Sequence, residues 1–195
     1  LDKHNMVDNV IFSPRANLRF NPTQNINLRL SYSSGFRAPQ AFDEDMHIEN
    51  VGGTVAMIER AKNLKEEKSQ SFSASADMYH RFGVFQTNFL IEGFYTRLTD
   101  VFVLGEPYDR GDGILVKTRS NGPGAKVMGL TLEGKVAYLS ILQIQAGLTL
   151  QRSRYDEPHK WHDDAPAEKK IFRTPDTYGY FTATYTPSKP LSIAL

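Results

Sequence analysis

Four oxygen or imidazole donors recur at every second position in one run: Asp43, Asp45, His47 and Glu49. On an extended backbone they share a face, a spacing that offers carboxylate oxygens and a neutral imidazole to a metal ion. The plainer reading is a solvated acidic face, and it carries more weight. A second cluster, His159-Lys160-Trp161-His162-Asp163-Asp164, sets two histidines three apart beside acids. On a helical turn they would share a face, but in a long polar loop the run reads as unstructured polar sequence. Trp161 stands with Asp43, Asp45 and His47 as a candidate for ligand contact, and so does Arg37. Asp109 to Gly113 contains Arg110-Gly111-Asp112 and reads as a loop tip, with Gly111 and Gly113 supplying permissive backbone angles. Nothing resembles a Ser-His-Asp arrangement in context, a phosphate-cradling glycine loop or a pair of catalytic carboxylates. The expectation is a protein that is not an enzyme and needs no cofactor.

The bulk properties remove further classes. With 23 basic and 22 acidic residues the net charge is +1, so no broad basic surface speaks for nucleic acid. The absence of cysteine excludes disulfide scaffolds, thiolate zinc sites and cysteine catalysis. A mean hydropathy of −0.43 and the lack of any long apolar run exclude a transmembrane helix. They do not speak against a transmembrane β-barrel, whose signal per strand is far weaker. The chain opens on Leu1 with no visible signal peptide and stops inside the apolar stretch Leu191 to Leu195. This reads as an excerpt of a longer protein.

The elements that must position these residues are strands. From Asn25 to Gly35, Ile26, Leu28, Leu30 and Tyr32 fall on one face, and Asn27, Arg29, Ser31 and Ser33 on the other. Successive strand side chains point to opposite faces, so the segment has one oily and one wet side. The pattern repeats in Ile11 to Phe20, Ser69 to Tyr79, Val84 to Val103, Ala125 to Tyr138, Ile141 to Arg154 and Pro175 to Thr186, with an eighth strand opening at Leu191. Ile141 to Arg154 is the cleanest: Leu142, Ile144, Ala146, Leu148 and Leu150 alternate with Gln143, Gln145, Gly147, Thr149 and Gln151. The wet faces carry Gln, Asn, Ser, Thr and Gly with few Lys or Glu, unlike an ordinary soluble surface. Glu92 and Glu133 fall on these faces and are expected to pair with Arg29 or Lys135 across strands.

Connections alternate strictly between short and long, and the long ones are Phe36 to Lys68, Leu104 to Gly124 and Tyr155 to Thr174. An up-and-down antiparallel sheet with hairpins at one end and large loops at the other gives this series, as outer-membrane barrels do. Several strands exceed the roughly 9–11 residues that cross a bilayer, which suits a large transporter wall better than a small porin. Aromatics gather near strand ends (Phe12 and Phe20, Tyr32 and Phe36, Tyr79 and Phe82, Tyr95 and Phe102), as an interfacial girdle would place them.

At this point the chain resembles a known family. Tyr32-Ser-Ser-Gly-Phe-Arg-Ala-Pro39, then Leu64-Lys-Glu-Glu-Lys-Ser69 leading into an alternating strand, looks like the "SxGFRAP" and "NLKPE.S" elements of TonB-dependent outer-membrane receptors. Phe94 to Phe102, Asn121-Gly122 through Gly129-Leu-Thr-Leu-Glu133, and Thr174-Pro175-Asp-Thr-Tyr-Gly179 resemble later blocks of the family in the same order. The resemblance implies an all-β fold, about 7–8 antiparallel strands forming part of a 22-stranded transmembrane barrel, with residues 1–195 a partial barrel domain that lacks the plug. It implies a Gram-negative outer-membrane location, lipid on the barrel exterior, and energised import of a scarce, bulky extracellular nutrient such as ferric siderophore, haem or cobalamin. The TonB complex would act through the missing plug, so this stretch would not transport by itself.

Arg37, as the arginine of Phe36-Arg-Ala-Pro39, is expected at a loop base, paired with inward carboxylates. His47 lies between that box and the partial match Lys62-Asn63-Leu64, where haem receptors of the family carry a histidine; neutral imidazole ligates haem iron. The second box is degenerate, and receptors for other cargoes share the first. Two rival readings are a passive porin or adhesin-type barrel and a soluble β-sandwich that binds or hydrolyses carbohydrate.

Overall fold

The computed structural model describes residues 11–39, 56–112, 114–160, 166–171, 174–188 and 190–195. These contain strands and no helix. In chain order the first seven are β1 (Arg15–Thr23), β2 (Ile26–Arg37), β3 (Ala56–Arg60), β4 (Glu67–Phe82), β5 (Phe85–Thr99), β6 (Phe102–Leu104) and β7 (Tyr108–Asp109). The rest are β8 (Leu115–Asn121), β9 (Ala125–Tyr138), β10 (Leu142–His159), β11 (Glu168–Lys170), β12 (Thr177–Ser188) and β13 (Leu191–Ala194). One sheet runs β1-β2-β4-β5-β9-β10-β12-β13, every pair antiparallel, with β11 also on β10. Each strand along this path pairs with the next one in the chain's up-and-down order, as the alternating connections predict.

Turn chemistry closes the short ends. Phe82 pairs with Phe85 across Gly83-Val84, and Gly83 takes φ +59°, the left-handed angle that tight hairpins require. Leu139 adopts a similar angle, φ +51°, on the turn into β10.

From β2 to β10 register carries the two-faced pattern across the sheet without a slip, and shifts fall at Phe20/Thr23, Arg154/His159 and Tyr185/Ser188 on the outer pairs. Leu18, Leu30, Ala74, Gly93, Leu130 and Leu150 form one cross-strand row. A neighbouring row on the same face holds Leu28, Ala76, Ile91, Leu132 and Leu148. These side chains face outward: Leu30 is 55% exposed, Leu148 42% and Leu150 46%. Among the described residues only Val116 and Ala125 are buried hydrophobics. A sandwich must press one apolar face onto a second sheet, and among the described residues no such layer covers this one.

The polar face is the more closely packed. Ser71 and Thr96 hydroxyls lie 2.9 Å apart, those of Thr131 and Thr149 3.1 Å, and Gln145 Nε2 donates to Tyr180 Oη at 2.8 Å. Tyr180 lies over Gly147, its register partner, and a Cβ at that glycine would strike the ring. The expected ion pairs of Glu92 and Glu133 do not form. Register sets Glu92 between Ser75 and Thr131, a full strand from Arg29, and Arg29 Nε instead donates to Asn27 Oδ1 at 3.1 Å.

Three segments differ from the sequence expectation. The single strand Val84 to Val103 is broken at Asp100, which takes φ +55° and accepts a hydrogen bond from Asn121 Nδ2 at 2.8 Å. Asp tolerates this angle better than most residues, and the break turns Phe102–Leu104 out of the wall. The segments read as polar loops also hold a second sheet, in which β8 pairs in parallel with β3 and antiparallel with β6 and β7. Finally, β10 continues to His159, where Tyr155 onward was read as loop.

Candidate ligand-facing site at the loop end

All long connections leave the same end of the wall, and the second sheet is assembled there from two of them. Its centre is β8, whose Val116 is fully buried and whose Arg119 is 3% exposed. A guanidinium that deep is tolerated only with polar partners. Asn121 ties the two long connections together. Its Oδ1 accepts from Lys65 N at 2.8 Å, and its Nδ2 donates to Lys65 O at 3.0 Å and to Asp100 O at 2.8 Å. Gly122 N donates to Val101 O at 2.7 Å, and Val103 methyls crowd the space a Cβ on Gly122 would need.

Arg37 ends β2 on the polar face, opposite Glu67 in register. Its guanidinium lies 5.5 Å from the centre of the Phe102 ring, and Phe102 N donates to the Glu67 carboxylate at 3.0 Å. Arg37, Glu67 and Phe102 thus join the wall to β6 of the second sheet. Arg37 stands at the end of β2, at the base of a long connection and opposite a carboxylate in register. Asp43, Asp45, His47 and Trp161 lie outside the described residues, as do Glu49 and His162. Among the described residues no group of three His, Asp or Glu side chains gathers to hold a metal.

The loop tip at Arg110-Gly111-Asp112 is built as a compact turn. Gly111 takes φ +97°, and its N donates to Asp109 Oδ1 at 2.8 Å. The hydrogen bond from Arg110 holds the Asp112 carboxyl below its ordinary range, and Arg110 also reaches Glu59 on β3 at 3.5 Å. At the rim of the wall, Arg97 on β5 and Asp156 on β10 form a bidentate pair at 2.9 and 2.6 Å that passes over the start of β9. Sequence reading missed Asn121, Phe102 and the Arg97–Asp156 pair as site-builders. The visible signal was the Asn121-Gly-Pro-Gly124 run, whose glycines mark close backbone approach.

Together these features make a polar platform above the polar face of the wall. A search of curated proteins by sequence found no match. In a search of solved structures, the FrpB iron transporter from Neisseria meningitidis (F3-3 variant) superimposes over 93% of this chain and 25% of its own, at 18% identity and TM-score 0.61. The copper transporter OprC is covered to 24% by 90% of this chain, at 14% identity and TM-score 0.57. The siderophore receptor PirA from Pseudomonas aeruginosa is covered to 37% by 93% of this chain, at 16% identity and TM-score 0.59. The chain therefore spans roughly a quarter to a third of these solved chains, and the likeness is one of fold. The family model described as TonB dependent receptor-like, beta-barrel, matches residues 3–193. Its span takes in both the apolar wall and the platform, and the chain belongs to that family of receptors.

Proposed function

We propose that this chain forms part of the outer-membrane barrel wall and loop platform of a TonB-dependent receptor. The observation that carries the reading is the height of the apolar band. On β5 it runs from Phe85 to Tyr95 and on β9 from Met128 to Tyr138, eleven residues each, and on β10 from Leu142 to Leu150. A tilted transmembrane strand needs about 9–11 residues to cross hydrocarbon. Aromatics border the band at both ends, Tyr32, Phe72 and Tyr95 in one row and Phe85, Tyr138 and Tyr185 in the other. Tyr and Phe suit the interface, where a ring meets hydrocarbon on one side and water on the other.

The platform, with Asp43, Asp45, His47 and Trp161 on its long connections, would recognise a scarce, bulky nutrient such as a ferric siderophore, haem or cobalamin. The polar inner face would border its route past a plug contributed by chain outside these residues, and the TonB complex would drive passage. The test is uptake of labelled haem, ferric siderophores and cobalamin by cells carrying the full-length protein, with and without TonB. Uptake of one cargo that vanishes without TonB is expected. Uptake equal in both strains would replace this reading with a passive porin.

A further inference from the structure

The sequence contains a single Asn-Gly pair, Asn121-Gly122, and the fold asks for both residues. The Asn121 amide is fully engaged: Oδ1 accepts from Lys65 N at 2.8 Å, and Nδ2 donates to Lys65 O at 3.0 Å and to Asp100 O at 2.8 Å. A Cβ on Gly122 would lie 2.6 Å from Val103 Cγ1 and 2.9 Å from Val103 Cγ2. Asparagine satisfies the backbone groups of two distant segments, and glycine lets β6 come close. The pairing carries a chemical liability, because no side chain shields the Gly122 nitrogen from the asparagine before it. That nitrogen, once deprotonated, attacks Asn121 Cγ: a C–N bond forms, the Cγ–Nδ2 bond breaks and ammonia leaves. Water then opens the five-membered imide at either carbonyl, giving aspartate, or isoaspartate with the chain routed through Cβ and Cγ. Ammonia is lost, water is taken up, and nothing else is needed.

In the assembled platform each participant in this step is held back. Asn121 is the last residue of β8 and pairs with Phe102, so its backbone stays extended and cannot fold the Gly122 nitrogen onto its own side chain. That nitrogen donates to Val101 O at 2.7 Å, which ties up the proton that must leave. Asn121 Cγ cannot swing toward it without giving up three hydrogen bonds.

We propose that Asn121-Gly122 is a deamidation site gated by the second sheet: closed while β6 and β8 are paired, open once they part, and irreversible. An ionised aspartate only accepts hydrogen bonds. One of its oxygens would face Lys65 O and Asp100 O, where Nδ2 had donated, and buried acceptors left so are costly. Isoaspartate also lengthens the β8 backbone by one carbon and breaks its register. A platform that has opened and reacted therefore does not close again, whereas the wall, whose pairing uses none of these groups, persists. The inference stands on the platform's geometry and does not need the receptor reading.

The experiment holds the full-length protein at mildly alkaline pH, folded in liposomes or unfolded in guanidinium chloride. Peptide mapping by mass spectrometry reads the conversion of Asn121 to acid in each. Three hydrogen bonds, each contributing on the order of fivefold, should make the folded protein react on the order of 100-fold more slowly. Glu67→Gln, which weakens the hold on Phe102 N, should speed the reaction severalfold in the folded protein and leave it unchanged in guanidinium. Asn121→Asp supplies the product directly. Its hydrogen exchange should show protection lost at Lys65 N and Gly122 N, with the β9 and β10 amides still protected. Equal rates in the folded and unfolded protein, or a folded Glu67→Gln rate equal to the wild type, would overturn the gate. Full protection of Lys65 N in Asn121→Asp would overturn the irreversible loss, and collapse of the wall amides with it would overturn its confinement to the platform.

Discussion

The Arg97–Asp156 bridge over Gly124 makes a demanding test of how the rim is built. The pair spans from β5 to β10 across the start of β9, so whatever occupies position 124 lies directly beneath it. An added Cβ there would sit 2.7 Å from Asp156 Oδ2 and 2.8 Å from Leu98 O. The first neighbour can rotate away, at the expense of the ion pair. The second is strand backbone and can yield only by moving β5. The side chains of the pair are 37% and 27% exposed, so solvent screening holds its worth to about 0.5–1 kcal/mol even with bidentate geometry. Displacing packed backbone typically costs about 1–3 kcal/mol. Gly124→Ala should therefore destabilise the folded protein by about 2–4 kcal/mol, read from urea unfolding of the full-length protein in phosphocholine liposomes. In an Asp156→Ala background the same substitution should be milder by about 1 kcal/mol, because the pair is already gone and only the clash with Leu98 remains. Strict additivity would refute the bridge. A Gly124→Ala protein as stable as the wild type would refute the close approach itself.

Three further outcomes follow from the geometry. Arg37→Ala removes, among its contacts, a cation–π contact worth about 0.5–1 kcal/mol, so stability and nutrient uptake should both fall as the junction at Phe102 loosens; unchanged uptake with unchanged stability would refute the role given to Arg37. Leu148→Arg, on the outward face in mid-band, should cost about 2–4 kcal/mol in liposomes, whereas Thr182→Arg on the exposed polar face should be nearly neutral; equal costs would mean the outward face does not meet lipid. The hydrogen bond from Lys170 holds the Asp176 carboxyl below its ordinary 3.8, with the charges of Arg154 and Arg152 adding to the effect. A carboxyl whose folded value is depressed contributes stability above its unfolded value and loses it as pH falls through the folded one. Wild-type stability should therefore drop more than that of Lys170→Gln as pH is taken from about 5 to below 3.8, with no difference in slope near neutrality.

The wall was legible in the sequence because two-residue alternation is a physical necessity wherever one strand face is oily and the other wet. Ala125 to Tyr138 appears in the structure with the same bounds as in the sequence pattern, and every oily–wet assignment in β2, β4 and β10 holds. The hairpin at Gly83 was legible from that glycine and the one before Leu191 from the run Pro187 to Pro190, whereas Asn21-Pro22, which reads as a turn pair, lies within β1, and the chain turns after Thr23 instead. What escaped was everything built by contacts distant in sequence. The strands β3, β6, β7 and β8 are short, and they are held where Asn121 reaches Lys65 and Asp100 across stretches no local pattern connects. The break at Asp100 was hidden for a related reason: Val101 to Val103 continue the apolar character of the preceding strand, so hydropathy alone extends it. Ion pairs were misjudged because facing the same side is not enough. Glu92 and Arg29 share a row with Ser75 between them, and side chains of that length do not bridge a whole strand on a wall whose polar face is already filled by hydroxyl and amide contacts.

The two faces of this sheet divide the labour of folding between them. With only Val116 and Ala125 as buried hydrophobics, apolar burial inside the described chain cannot hold the wall together in water. Polar-face contacts such as Ser71–Thr96, Thr131–Thr149 and Gln145–Tyr180 each contribute on the order of 1 kcal/mol and fix register, since a one-residue slip would turn them all to the other side. The outward face adds no specificity of that kind, because Leu, Ile and Phe at its positions are interchangeable against a fluid solvent. It sets instead where the sheet is stable, and on the membrane reading proposed above the environment that satisfies an apolar band of this height, bordered by aromatic rows, would be a bilayer. Residues that choose the register are thus distinct from residues that choose the solvent. Substitutions on the polar face should act on pairing and recognition, and those on the outward face on insertion.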